Sequence, residues 1–109
     1  MGAVEIKSSG QRMVIVGAGT AGMAALKLFS QAEGLVVGIA DSNPEAPGFQ
    51  LARQLEIPVF HDATEALRVA KPNLVFEVTG VASVTEAVAP EAAVLGAAFI
   101  PSRVARLMM

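Results

Sequence analysis

The chain has 109 residues, of which 8 are basic and 10 acidic, with one histidine, no cysteine and a net charge of -2. This length suits one domain with a sizeable core, and its unclustered charge gives no electrostatic reason to expect nucleic acid or an anionic membrane as partner. Without cysteine, disulfides, thiol catalysis and thiolate metal sites are excluded, and the single His61 argues against a zinc centre. Hydrophobic residues make up 53% before the ten glycines are counted, whereas average domains reach about 45–50% with glycine included. Some apolar surface is therefore expected to be covered by a second copy (a homodimer) or by a further domain.

Residues 1–10 are rich in Ser and Gly and read as a flexible leader, with residues 11–109 as the folded domain. No signal-peptide pattern and no apolar run near the roughly 18 residues of a membrane span is present, so a cytoplasmic location is expected. From there β-rich runs alternate with helical segments, the pattern of a parallel sheet flanked by helices. The expected strands are 12–16, 35–40, 57–60, 74–78 and 94–99. The expected helices are 20–32, 49–55, 63–70, 81–89 and a last one opened by Pro101. Asp62 is placed to cap the third helix, and the turn-rich run at 41–48 separates the second strand from the second helix.

The motif that carries chemistry is Gly17-Ala18-Gly19-Thr20-Ala21-Gly22, which joins the first strand to the first helix. In Gly-x-Gly-x-x-Gly the first glycine allows a tight turn, the second lets a pyrophosphate approach the backbone, and the third lets helix and strand pack closely. The helix it opens presents unpaired N–H groups and a partial positive charge to an anion. Asp41 closes the second strand 19 residues after Gly22, near the spacing of about 20 at which an acid holds the adenosine ribose. A carboxylate there repels a 2′-phosphate, and no Lys or Arg follows before Arg53, so NAD is expected rather than NADP. A turn role for Asp41 before Pro44 is the alternative, and FAD and S-adenosylmethionine remain open behind NAD. These features define an α/β Rossmann fold: a five-stranded parallel sheet, order 3-2-1-4-5, with helices on both faces.

The runs Val37-Gly38-Ile39-Ala40-Asp41-Ser42-Asn43-Pro44, Leu51-Ala52-Arg53-Gln54-Leu55, Ile57-Pro58-Val59-Phe60 and Leu74-Val75-Phe76-Glu77-Val78-Thr79-Gly80 resemble the N-terminal domain of Gfo/Idh/MocA oxidoreductases. Homoserine and aspartate dehydrogenases have a similar amino-terminal half. The resemblance covers residues 13–80. It implies that Gly17, Gly19 and Gly22 line the pyrophosphate, that Asp41 holds the adenosine ribose, and that Thr79 and Gly80 sit beside the cofactor; Thr20, Ala21 and Ser42, next to these, complete the expected cofactor-binding set. Those enzymes continue into a substrate domain. Here Phe99-Ile100-Pro101-Ser102-Arg103 stands where the sugar-oxidising members often carry Glu-Lys-Pro, and no substrate pocket or catalytic residue is identified. The end of the chain is also similar to dinucleotide modules that precede PAS and histidine-kinase domains. The expected activity is NAD(H) binding, as a sensing module or as the cofactor half of an NAD-dependent dehydrogenase.

Four other features stand out. Glu77, inside an apolar strand, is expensive to bury unless partnered; it is expected to bond a helix end or pair with Arg103 or Arg106, or else to serve near the cofactor. His61 is an acid–base group or, since it ends the third strand away from the crevice, a turn residue before the cap at Asp62. Arg103 reaches a phosphate or is solvated, and Leu107-Met108-Met109 is an apolar end suited to a dimer contact.

Overall fold

The computed structural model describes residues 10–109, so the expected leader, Gly10 apart, lies outside the described residues. Five strands alternate with five helices: β1 Met13–Val16, α1 Thr20–Phe29, β2 Val36–Ala40, α2 Pro47–Gln54, β3 Val59–Phe60, α3 Ala63–Ala70, β4 Leu74–Glu77, α4 Ala82–Val94, β5 Ala98–Ile100 and α5 Ser102–Met108. All strand pairs are parallel, in the order β3-β2-β1-β4-β5, as expected.

β1 is apolar at every position because it is covered on both sides. Its alternation divides the core. Met13 and Ile15 join Leu26 of α1, Phe49 of α2 and Ala105 of α5 on one face, while Val14 and Val16 join Leu67 of α3 and Val88 of α4 on the other. The helices therefore cover both faces, α1, α2 and α5 against α3 and α4. In β2 the alternation slips by one residue: Met13 is level with Val36 but Val14 with Gly38. This bulge puts Val36 and Ile39 in the same core layer, which an unbroken two-residue period forbids.

Several boundaries differ from expectation. α1 stops at Phe29 rather than 32, because successive turns from Ser30 to Leu35 take over its hydrogen bonding and Gly34 adopts φ 78°. α2 begins at Pro47, since proline at the first helical position loses no bond the helix needs. α4 runs through Pro90 to Val94 instead of ending at 89. The single bond lost at proline is offset by burial of Val88 and Ala92 in the core. Val94, expected in β5, is consequently a helix end and 86% exposed, as is Leu107 in α5. Among the described residues no helix is long and apolar enough to cross a membrane.

Asp62 caps α3 as expected, accepting from the N–H groups of Thr64 and Glu65 at 2.9 and 3.3 Å and from the Thr64 hydroxyl at 2.7 Å. These bonds, led by the Thr64 hydroxyl, hold its carboxyl below the usual range. Asp62→Ala should cost about 1 kcal/mol and lower Tm by roughly 4–8 °C in thermal denaturation followed by circular dichroism.

Candidate functional site

The carboxyl ends of β1, β2 and β4 open onto a cleft of about 630 Å³, at the place where strand order reverses. The three glycines of the β1–α1 loop meet different constraints there. Gly17 has φ 110°, which side chains rarely adopt, and a Cβ on it would lie 3.2 Å from side-chain carbons of Val78 and Thr79. At Gly22 a Cβ would come within 1.8 Å of the Gly17 carbonyl oxygen, an impossible contact. At Gly19 it would meet nothing within 4 Å, so that position faces open space.

Gly19 precedes α1 in an extended conformation, and no side chain caps the helix. Met23 is the first helical residue whose N–H is bonded back, to the Gly19 carbonyl at 2.8 Å. The N–H groups of Thr20, Ala21 and Gly22 have no partner among the described residues, which leaves a set of donors suited to an anion.

Asp41 is tied directly to this loop. One carboxylate oxygen accepts from Ala18 N at 2.8 Å and the other from Asn43 N at 2.8 Å. The second bond is the turn role considered from sequence; the first was not legible there. Four lone-pair directions on a carboxylate leave room for two further donors. Gly48 of α2 reinforces the same loop, donating its N–H to the Ala18 carbonyl at 2.7 Å, and a Cβ on Gly48 would press within 2.8 Å of that oxygen.

Of the residues assigned from sequence, Gly17, Gly19, Thr20, Ala21, Gly22, Asp41, Ser42 and Thr79 all line the cleft. Gly80 does not; it faces a neighbouring cavity. His61 corrects the expectation in the other direction. It lines the cleft on the Asp41 side, packed edge-on against Phe49 with ring centroids 5.4 Å apart. The strand order already implied this, because the residue after β3 must emerge on the same edge of a parallel sheet as Asp41. Arg106 also lines the cleft, the one Lys or Arg in its lining among the described residues.

Beneath the Thr79 side lies Glu77, fully buried. It pairs with neither Arg103 nor Arg106, since the one ion pair among the described residues is Arg68–Glu91. Instead it collects neutral donors. One oxygen accepts from Thr79 N at 2.6 Å, Thr79 Oγ1 at 2.8 Å, Gly80 N at 3.3 Å and the Ser102 hydroxyl; the other accepts from Thr85 Oγ1 at 2.5 Å. Burial pushes this carboxyl up, but the hydrogen bonds from Ser102, Thr85 and Thr79 outweigh it and hold Glu77 below the ordinary glutamate range. The carboxylate thus fixes the Thr79-Gly80 turn to both α4 and α5.

With this geometry established, a solved structure of similar fold is informative. Myo-inositol dehydrogenase from Lactobacillus casei, in complex with NAD(H) and myo-inositol, superposes with a TM-score of 0.66 at 19% sequence identity. The match covers 90% of this chain and 28% of the enzyme's chain. At that identity the likeness is one of fold, and the α/β Rossmann fold is shared. No protein-family model and no curated protein matches the sequence.

Gly22→Ala should prevent folding or cost more than about 4 kcal/mol, whereas Gly19→Ala should remain within about 1 kcal/mol of the parent in urea denaturation. For Glu77→Gln, which faces donors with an amide nitrogen, the expected loss is about 3 kcal/mol near neutral pH. Because the folded carboxyl is held below its ordinary range, its stabilisation is complete above that range and is lost as pH falls from the ordinary range through the folded carboxyl's lower one. The Tm gap between parent and Glu77→Gln should therefore hold near neutral pH and narrow only once acidification reaches the ordinary glutamate range.

Proposed function

We propose that this chain is an NAD(H)-binding module whose cleft binds the cofactor without supplying catalytic residues of its own. The observation that carries this reading is the pairing of unpartnered amides at the start of α1 with Asp41, held against the same loop at 2.8 Å from Ala18 N. In this arrangement the pyrophosphate rests on the amides beside Gly19, and Asp41 accepts hydrogen bonds from the adenosine ribose. Preference for NAD over NADP is supported by the lining near Asp41, where Ser42, His61, Asp62 and Thr64 stand and, among the described residues, no Lys or Arg does. A 2′-phosphate there meets a carboxylate, while Arg53, outside the lining, lies over the Phe49 ring at 5.7 Å. The resemblance to dinucleotide domains and the NAD(H) complex of the fold neighbour support the same ligand class.

On the Thr79 side the lining is Val78, Val81, Ser83, Val84, Ala87, Val88 and Arg106, a set without a carboxylate, lysine or histidine for proton transfer. This favours binding or sensing. The second reading, the cofactor-binding part of an NAD-dependent oxidoreductase, is favoured by the match to a stretch of a dehydrogenase that is 28% of that enzyme's chain.

Calorimetric titration with NAD, NADH, NADP, FAD and S-adenosylmethionine tests the assignment. NAD or NADH should bind at least about tenfold tighter than NADP, a difference of about 1.4 kcal/mol. Asp41→Asn, which keeps an acceptor for Ala18 N–H but removes the charge, should narrow that gap. Gly19→Ala should fold and lose the dinucleotide. Equal affinity for NAD and NADP in the parent would overturn the ribose assignment, and absence of all dinucleotide binding would overturn the function.

A further inference from the structure

Behind the Thr79-Gly80 turn is a second cavity of about 550 Å³, lined by Gly80, Thr85, Glu86, Ser102, Arg103 and Arg106 among others. Arg106 forms part of both this cavity and the cleft. Its guanidinium lies against the backbone at Gly80, where a Cβ would come within 3.1 Å of Nη2. Gly80 also has φ 69°, so the turn and the close approach both call for glycine there. Arg103 lies one helical turn earlier in α5 and faces the same cavity. Neither arginine is within ion-pair distance of a carboxylate among the described residues.

The arginines are carried on a fixed support. Ser102 donates to Glu77 and accepts from Gly80 N at 2.8 Å, and Ala105 is fully buried in the core. Between them these contacts hold α5 against the end of β4. Glu86 stands in the lining and the Glu77 carboxylate lies behind Ser102 and Gly80, but neither forms an ion pair with a guanidinium among the described residues, so both arginines keep their donors for a ligand.

We propose that this cavity is a binding site for a small oxyanion, a carboxylate or a phosphate, held by Arg103 and Arg106. Guanidinium groups suit both through paired N–H···O bonds, and a common support reduces the ordering cost of using two side chains together. The site shares Arg106 with the cleft, whereas Arg103 lines this cavity and not the cleft.

The test is a two-dimensional amide NMR titration of the isotopically labelled full chain with malonate and, separately, inorganic phosphate, at ionic strength held constant with sodium chloride. Saturable shifts should centre on Gly80, Ser102 and Arg103. In the Arg103→Gln/Arg106→Gln double variant, shown to be folded by its own spectrum, affinity should fall at least about tenfold. If malonate binds tighter the natural ligand class is a carboxylate; if phosphate does, it is a phosphate. Non-saturating shifts with both anions, shifts confined to residues 17–22, or unchanged affinity in the double variant would each overturn the proposal. An NAD titration of the parent and of Arg103→Gln, which leaves the cleft lining unchanged, reports on the cleft separately, so failure of one assignment is distinguishable from failure of the other.

Discussion

The structure depends most on a contact that only the absence of a side chain permits: the first turn of α1 against the Gly17 carbonyl, with Gly22 at the point of closest approach. A methyl carbon there would come within 1.8 Å of that oxygen. By yielding that space, the chain brings a helix end directly above a strand end and turns its free amides outward. The same closeness leaves Ala18 N–H facing Asp41 and Ala18 C=O facing Gly48. The loop is thus held from both sides by neighbouring segments before any ligand arrives, a form of preorganisation that reduces the ordering cost of binding.

The far wall of the cleft is organised by a different device. Glu77 is a buried charge without a counter-ion, stabilised by hydroxyl and backbone donors drawn from its own turn, α4 and α5. Hydrogen bonds from neutral groups are strong when the acceptor is ionised, and every one of these donors belongs to an element that shapes either the cleft or the adjoining cavity. The carboxylate therefore works as a joint: it sets where Thr79 meets the cleft and where α5 carries its arginines.

Much of this was readable from residue order. Alternating apolar runs and helical segments gave the sheet and its strand order, and glycine spacing with an acid at the end of β2 located the cleft. What was not readable depended on three-dimensional company. Pro90 marks a helix end by local rules, yet burial of Val88 and Ala92 on either side of it carries α4 onward. Val94 has strand-forming character but stands exposed where that helix finishes. For Glu77, the sequence offered a helix end or an arginine; the helix ends are where it bonds, through Ser102 at the start of α5 and Thr85 in the first turn of α4, two hydroxyls that look ordinary until the fold places them at its carboxylate. His61 was misplaced for lack of one geometric step, that all parallel strands end on the same side.

The sheet's margins have a consequence for how copies of this protein can meet. β3 contributes two residues and β5 three, so each rim offers only a stub of unpaired backbone to another strand. Growth by strand addition needs longer uninterrupted rims, which makes fibril-like stacking through this sheet unfavourable. Adhesion between molecules is left to the helical exterior, where Val94 and Leu107 already meet water.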